Sequence, residues 1–212
     1  QQTLSAMAAI EEAKDTLEVR VAERTHRLAE LNEQLLQEIQ ERTRAEEALA
    51  KAATTDYLTG LLNRRAMLAV LEQEEERWRR SAKPFSLVLA DLDHFKRIND
   101  SLGHHAGDEV LIHLAQELRQ TVRGQDAIAR WGGEELLILL PETDLAGAVE
   151  VAEKVRTHLG DAPHTVGGHE VRVTVSLGVS TISEGVSINE CIRRADAALY
   201  RAKEGGRNRT AT

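Results

Sequence analysis

The sequence predicts an α/β chain in which a central mixed sheet, flanked by helices, follows one long helix of the coiled-coil type. The first 53 residues contain neither Gly nor Pro and repeat apolar residues in heptads. The remainder alternates helical and strand-like patterns, and Gly132-Gly133 joins two apolar runs as a hairpin turn would. We therefore expect a coiled-coil helix over residues 1–53 and a sheet domain over residues 54–212.

The composition excludes several classes of protein. The 212 residues include 27 basic and 35 acidic side chains, a net charge of −8, whereas a nucleic-acid-binding protein needs a basic surface. The apolar runs are too short to cross a bilayer, and the single cysteine, Cys191, cannot form an intrachain disulfide. We expect a soluble, cytoplasmic piece of a longer protein, with no nucleic-acid partner and no membrane segment.

The first helix carries an apolar stripe that a lone helix cannot bury. With Met7 at heptad position a, ten of the 14 a and d positions are apolar. They are Met7, Ile10, Leu17, Val21, Leu28, Leu31, Leu35, Ala45, Leu49 and Ala52. A repeat of this length predicts a coiled coil with a second copy of the chain, and therefore a homodimer. The alternative is a single exposed helix packed on a domain outside this sequence.

Pro, Gly and periodicity divide the remainder into alternating elements. Residues 54–56 (TTD) offer a turn after the coil, and Pro84 separates the next helix from the first long strand. Apolar residues at helical spacing predict helices over residues 63–80, 108–122, 144–159 and 188–203. Short apolar or alternating runs predict strands over residues 85–92, 127–131, 136–140 and 171–180. The last strand is expected to turn at Gly178, and Gly205-Gly206 to end the last helix.

Carboxylates lie at the ends of two predicted strands. Asp91 and Asp93 follow a buried run at a spacing that turns both to one face, and Glu134-Glu135 follow the glycine pair. A carboxylate at the exit of an apolar strand is costly unless it is paired or binds a cation. Together these groups offer hard oxygen ligands for a divalent ion that carries a polyphosphate, as Mg²⁺ does. Each pair alone is also typical of an ordinary turn.

Five ordered segments of the sequence resemble the GGDEF domains, the diguanylate cyclases. Residues 130–136 (RWGGEEL) resemble the family signature, with Glu for Asp at its third position and Leu136 for Phe at its fifth. The other segments are residues 56–65 (DYLTGLLNRR), 91–100 (DLDHFKRIND), 103–108 (GHHAGD) and 195–203 (ADAALYRAK). The resemblance spans residues 52–212 and implies an α+β fold of the palm, nucleotidyl-cyclase type. It also implies an enzyme that condenses two GTP into cyclic di-GMP and releases two pyrophosphates.

The resemblance assigns metal-binding and catalytic roles residue by residue. Mg²⁺ (or Mn²⁺) ions would be held by Asp91, the main-chain carbonyl of Leu92 and Glu134, and Glu135 would support the second ion. Glu134 is in addition the candidate base for the ribose 3′-hydroxyl, although a carboxylate that binds metal is a weak base. Lys96 would meet the negative charge that develops on the phosphates.

The same resemblance implies the substrate-binding residues. The phosphates would be met by Lys203, Arg207 and main-chain groups of His94 and Phe95. Asn99 and Asp108 would read the guanine, because Asp108 can accept from N1–H and the amino group, which adenine does not offer in that arrangement. Considered singly, Asn99 is also typical of a helix cap, and the two cations also suit a helix C-terminus.

A second site is implied upstream of the hairpin. Residues 123–126 (RGQD) form an R-x-x-D that resembles the product-inhibition site of the family. Arg123 and Asp126 would there grip cyclic di-GMP, since the planar fork of Arg pairs with guanine or phosphate through two hydrogen bonds. Lys154 stands where the family often has another Arg. The alternative is a surface turn with an Arg at a helix end.

One such domain binds one GTP and cannot close a two-nucleotide ring, so a homodimer is part of the implied mechanism. The coil would raise the effective concentration of the second domain and pass on the signal of an upstream sensor. Three alternatives stay open: a degenerate module that binds GTP or cyclic di-GMP, a cyclase for another nucleotide, and a structural coiled-coil linker.

Overall fold

The chain forms two compact units, one ending at Lys51 and the other beginning at Ala52. The computed structural model describes residues 2–161, 163–166 and 168–212, and the backbone alone of residues 2–10, 12, 47, 161 and 164. Within these ranges no helix combines the length and the apolar character that crossing a bilayer requires.

The first unit lies within one helix, α1 (Gln2–Thr54), as the lack of Gly and Pro predicts. Its heptad leucines with described side chains are 48% exposed at Leu35 and 70% exposed at Leu49, with the others between these values. One chain therefore leaves the apolar stripe in solvent, which fits a coiled-coil segment. Met7 and Ile10, the first two heptad positions, have side chains outside the described part.

The second unit is a mixed sheet with helices on both faces. Its helices are α2 (Arg64–Ser81), α3 (Phe95–Leu102), α4 (His104–Thr121), α5 (Leu145–Asp161) and α6 (Ile188–Glu204). Its strands are β1 (Leu62–Asn63), β2 (Ser86–Leu92), β3 (Ala127–Gly132), β4 (Glu135–Leu140), β5 (His164–Val166), β6 (His169–Val171), β7 (Val175–Thr181) and β8 (Thr210–Ala211). The six-stranded sheet has the order β1-β3-β4-β2-β7-β8, while β5 and β6 pair separately. The pairs β1–β3 and β7–β8 are parallel and the others antiparallel, so the predicted mixed sheet is confirmed.

Alternation along the central strands divides the core into two layers. On β2, Val88 and Ala90 pack with the apolar residues of α4 and α5, whereas Leu87 and Leu89 pack with those of α2 and α6. Leu136 belongs to the first layer and is 1% exposed, so the expectation that it faces the core is confirmed. Asp91 follows the alternation of Leu87 and Leu89, which brings it to the α6 face at the end of β2.

Two helices occupy the stretch after β2, where the sequence predicted one over residues 108–122. The short α3 was missed, because eight residues hold too few apolar positions to define a period. The following helix, α4, begins at His104 rather than at residue 108. Gly103, with a φ of 85°, separates the two helices, and its N–H donates to the carbonyl of Asn99 at 2.9 Å.

The expected turn at Gly178 was wrong, because β7 continues through this residue to Thr181. A Cβ on Gly178 would overlap the carbonyl oxygen of Ala195 and the main-chain nitrogen of Leu199, both on α6. The glycine therefore permits the close approach of a helix to the strand. The expected strand over residues 171–180 was also too long, since β7 begins at Val175 and Val171 belongs to β6.

Candidate active site

The ends of two central strands bring acidic side chains together. Asp91, next to last in β2, is the in-register neighbour of Glu135, the first residue of β4. Such neighbours project from the same face with their Cβ atoms ~5 Å apart. Glu134 lies in the turn between β3 and β4, and its charge acts on Asp91. The predicted convergence of the two acidic segments is therefore present in the fold.

Lys203, in the last turn of α6, supplies a cation to this cluster. Its Nζ lies 2.8 Å from Oδ2 of Asp91, whose side chain is 8% exposed. Burial raises the pKa of Asp91, the hydrogen bond and charge of Lys203 oppose this, and the charges of Glu134 and Asp93 add to the rise. Burial and the charge of Asp91 likewise raise the pKa of Glu135. Burial is thus the main cause of both raised pKa values, and the neighbouring carboxylates add to it.

These donors fit a hard divalent cation that arrives with phosphates. Carboxylate and carbonyl oxygens are the ligands that Mg²⁺ prefers, and Asp91 and Glu135 offer such oxygens from neighbouring strands. In the described part of the chain, no three acidic, His or Cys side chains converge on a common point. Nucleotide-bound Mg²⁺ takes only one or two carboxylates from a protein. The ligand set Asp91, Leu92, Glu134 and Glu135 stays a prediction.

Asp93 is engaged by other groups. It is 5% exposed, and its carboxylate accepts hydrogen bonds from Thr174 Oγ1 at 2.7 Å, Ser176 Oγ at 2.7 Å and the N–H of Asn208 at 2.9 Å. Ser176 is also the in-register neighbour of Asp91 on β7. The two aspartates of the D-x-D segment thus have different surroundings, one facing Lys203 and the other tied to β7 and the loop after α6.

The predicted guanine-reading residues are brought together by the tight connection at Gly103. The side chain of Asn99 lies against α4, where a Cβ on Gly107 would overlap its Oδ1 and come within 3.0 Å of Phe95 Cζ. At the end of α3 the N–H of Gly103 donates to the main-chain carbonyl of Asn99. This cap therefore does not use the side chain of Asn99. Asp108 follows Gly107 directly and is exposed.

The predicted phosphate ligands lie on the segments that leave β2 and α6. Lys96 is exposed in the first turn of α3, which His94 precedes in a left-handed conformation with a φ of 59°. Phe95 is 8% exposed and belongs to the core. Arg207 is exposed, with a φ of 64°, four residues after Lys203.

Arg130 links the turn between β3 and β4 to the segment after α1, a role the sequence analysis missed. Its Nε donates to the carbonyl of Gly133 at 2.9 Å, and its Nη1 lies 3.3 Å from both carboxylate oxygens of Asp56. Asp56 in turn accepts from the N–H of Thr59 at 2.9 Å and from its hydroxyl at 2.8 Å. The opposite charges of Asp56 and Arg130, in two separate motifs, were the available signal.

The domain after α1 matches a known protein family. The model described as "Diguanylate cyclase, GGDEF domain" matches residues 53–209. The chain belongs to the GGDEF family. Three relatives that are 40–45% identical are named as diguanylate cyclases, one of them as a bifunctional diguanylate cyclase/cyclic di-GMP phosphodiesterase.

Curated relatives extend the match. The response regulator PleD of Caulobacter vibrioides is 45% identical over 159 residues, which cover 74% of this chain and 35% of the relative. The diguanylate cyclase DgcM of Escherichia coli is 45% identical over 175 residues, covering 82% of this chain and 42% of the relative. The GGDEF chain thus spans well under half the length of these two relatives.

Solved structures agree with the fold. The coiled coil and GGDEF domain of DgcB from Caulobacter crescentus, in complex with c-di-GMP, is 29% identical with a TM-score of 0.77 and covers 92% of this chain and 98% of that one. The active GGEEF domain of a diguanylate cyclase from Vibrio cholerae is 36% identical with a TM-score of 0.67, covering 71% of this chain and 96% of that one. The GGDEF fold therefore has solved counterparts, and in one of them a coiled coil accompanies the domain.

The predicted second site also forms one local cluster. Arg123 and Asp126 close a turn, because the N–H of Arg123 donates to Asp126 Oδ2 at 2.8 Å. Burial raises the pKa of Asp126, against the hydrogen bond and charge of Arg123. Lys154 Nζ donates to the carbonyl of Thr121 at 3.1 Å, and all of these residues line one cavity of about 220 Å³. The closed turn also agrees with a plain surface turn, so the inhibitory role stays a prediction.

Proposed function

We propose that this GGDEF domain condenses two GTP into cyclic di-GMP with release of two pyrophosphates, using Mg²⁺ or Mn²⁺ and one GTP per domain of a homodimer. The observation that carries the proposal is the facing pair of Asp91 and Glu135, with Glu134 in the adjoining turn. Lys203 adds a cation at the same point. The diguanylate cyclases among the relatives support the reaction.

The bound ion would draw charge from the triphosphate oxygens and lower the pKa of an attacking hydroxyl. Asp91, Glu134 and the carbonyl of Leu92 would hold the metal ions, and Glu135 would support the second one. Glu134 would accept the proton of the ribose 3′-hydroxyl, which attacks the α-phosphorus of the partner's GTP as pyrophosphate leaves. Lys96 would stabilise the charge that develops on the phosphates.

Different residues would bind the phosphate end and the guanine end of each GTP. Lys203 and Arg207 would hold the β- and γ-phosphates, and main-chain groups of His94 and Phe95 would lie near them. Asn99 and Asp108 would select guanine, because adenine would leave the carboxylate of Asp108 unpaired. The position of Asn99 against Gly107, directly before Asp108, supports this assignment.

The homodimer follows from the chemistry and from α1. Each 3′-hydroxyl must reach the α-phosphorus held by another domain, so two domains have to face each other. The exposed heptad leucines of α1 support a parallel coiled coil with a second copy. Such a coil would also carry a signal from a sensor, with this domain as the output module in the cytoplasm.

The test is incubation of the protein with GTP and Mg²⁺, with the product identified by mass. We expect cyclic di-GMP from the wild type and a loss of at least roughly a hundredfold in rate for Glu134→Gln, which removes a carboxylate at the reaction centre. Glu76→Gln, on the exposed face of α2, is the matched control and should retain wild-type rates. No pyrophosphate release by the wild type would favour a binding module, and product from ATP would favour another cyclase.

We further propose that cyclic di-GMP inhibits the domain through Arg123, Asp126 and Lys154. The shared cavity supports this, as do solved relatives in complex with c-di-GMP. Arg123→Ala should raise the inhibitory concentration of cyclic di-GMP roughly tenfold, because a bidentate contact is lost. Arg79→Ala, an exposed arginine of α2, is the control. Equal inhibition of both variants would refute the assignment.

A further inference from the structure

The loop after α6 holds Arg207 in an unusual backbone conformation. Arg207 and Asn208 are consecutive residues with φ values of 64° and 44°. Asn adopts this left-handed region more readily than other residues with a side chain, whereas an Arg rarely does and stays there only when surrounding contacts hold it. The conformation of the loop therefore depends on its partners.

Two of those partners bind the loop at Asn208. Its N–H donates to Oδ2 of Asp93 at 2.9 Å, and its Oδ1 accepts from Nη1 of Arg156, on α5, at 3.0 Å. The N–H of Arg207 donates to the carbonyl of Ala202 at 3.1 Å. One carboxylate and one guanidinium thus hold the residue that follows Arg207.

Asp93 is a rigid support for this loop. Its Oδ1 accepts from the buried Ser176 hydroxyl and its Oδ2 from the Thr174 hydroxyl, both at 2.7 Å. Its own N–H donates to the carbonyl of Thr174 at 2.9 Å. A buried carboxylate with all these partners cannot move without leaving donors unpaired.

We propose that Asp93 is a positioning residue: by accepting the N–H of Asn208, with Arg156 holding the Asn208 side chain, it fixes Arg207 for the terminal phosphates of GTP. The inference rests on the proposed function, because the substrate role of Arg207 belongs to it. The two aspartates of the D-x-D segment then hold the two ends of residues 203–208. Asp91 pairs with Lys203, and Asp93 accepts from the N–H of Asn208.

The first measurement needs no catalysis. Trypsin cleaves after arginine, so the rate of cleavage between Arg207 and Asn208 reports how firmly the loop is held. Asp93→Ala should speed this cleavage roughly tenfold, because opening of the loop no longer breaks a hydrogen bond to a charged acceptor. Ser180→Ala, which removes a different buried hydroxyl on the same sheet, should leave the rate unchanged.

The second measurement separates positioning from general damage. Asp93→Ala should raise KM for GTP roughly tenfold, with kcat within about threefold of wild type, because a misplaced Arg207 weakens phosphate binding. Asp93→Asn should recover most of both losses. Its amide oxygen can accept from Asn208, and the Ser176 hydroxyl can turn to accept from the new amino group.

The outcomes distinguish the inference from the proposed function. Wild-type protein that makes no cyclic di-GMP and binds no GTP would refute both the proposed function and the substrate role of the loop. Unchanged cleavage after Arg207 in a folded Asp93→Ala variant would overturn the inference alone, as would a loss in kcat with KM unchanged. If Asp93→Ala does not fold, Arg156→Met decides: the inference requires faster cleavage and a higher KM, and wild-type values refute it.

Discussion

The ammonium of Lys203 lies 2.8 Å from Oδ2 of Asp91, so a proposed phosphate ligand and a proposed metal ligand are paired with each other. The carboxylate is 8% exposed and the lysine side chain 33% exposed, which gives the lysine the freer path toward solvent. If Asp91 binds an ion and Lys203 binds phosphate, each group shares or exchanges the charge that it now meets in the other. Binding of metal and binding of nucleotide are therefore coupled through one ion pair.

This coupling predicts opposite effects on two ligands in Lys203→Met, which keeps the aliphatic stem and removes the charge. Mn²⁺ alone should bind several-fold more tightly, because Asp91 loses its competing cation, whereas GTP should bind roughly tenfold more weakly. Mn²⁺ binding can be followed by electron paramagnetic resonance and GTP binding by calorimetry. Lys83→Met removes one of the two surface partners of Glu142 and is the control. A change of the same sign for both ligands would contradict the coupling.

Gly107→Ala should damage guanine recognition. The new Cβ would overlap Oδ1 of Asn99 and lie 3.0 Å from Phe95 Cζ, so the amide must move. We expect a roughly tenfold rise in KM for GTP and a loss of about 1–3 kcal/mol in unfolding free energy. Gly160→Ala, also in a helix but with nothing within 4 Å of the new Cβ, is the control and should be neutral or slightly stabilising. Normal KM for Gly107→Ala would remove Asn99 from the guanine site.

Local patterns were enough to predict the strands β2 and β4 and the hairpin, since alternation and a glycine pair are properties of adjacent residues. Periodicity likewise predicted α2 and α6. The acidic cluster was predicted from the strand ends at Asp91 and Glu134. What the pattern could not give were contacts between distant segments, such as the hydrogen bond from Asn208 to Asp93 or the approach of α6 to Gly178. Such contacts depend on how the helices and strands pack against one another.

Gly178→Ala tests that packing directly. A Cβ at this position would overlap main-chain atoms of Ala195 and Leu199, and backbone cannot turn aside as a flexible side chain can. We expect a loss of about 3 kcal/mol or more in unfolding free energy, measured by urea denaturation. The Gly160→Ala variant again serves as the control. A loss below about 0.5 kcal/mol would mean that α6 and β7 are less closely packed than described.

The coiled coil can be tested with two valines of nearly equal exposure. Val21, at heptad position a, is 55% exposed, and Val19, at position f, is 58% exposed. Val21→Glu should weaken dimerisation at least roughly tenfold, because a charge would be buried in the seam, whereas Val19→Glu should have no effect. Analytical ultracentrifugation measures the dimer, and activity at nanomolar protein should fall with it. Equal behaviour of the two variants would favour a single helix packed on another domain.

Asp56 should make stability depend on pH in a defined direction. Burial raises the pKa of its carboxyl, but the hydrogen bonds of Thr59 and the hydrogen bond and charge of Arg130 together hold the pKa below its ordinary value of 3.8. A carboxyl with a lowered pKa stabilises the fold above that ordinary value, and this contribution disappears as the pH falls through the lower pKa of the folded state. Stability contributed by Asp56 is therefore present at neutral pH and lost in acid.

The measurement compares urea unfolding of the wild type and Asp56→Asn at pH 6 and at decreasing pH. Asp56→Asn should cost about 1–2 kcal/mol at pH 6, the value of a half-buried, charge-assisted contact, and this difference should shrink below about pH 3.8. In an Arg130→Met background the same substitution should cost less at pH 6, because the guanidinium that favours the carboxylate is gone. A difference that does not change with pH would contradict the lowered pKa of Asp56. A difference that is unaffected by Arg130→Met would show that the hydrogen bonds of Thr59, and not the ion pair, stabilise the carboxylate.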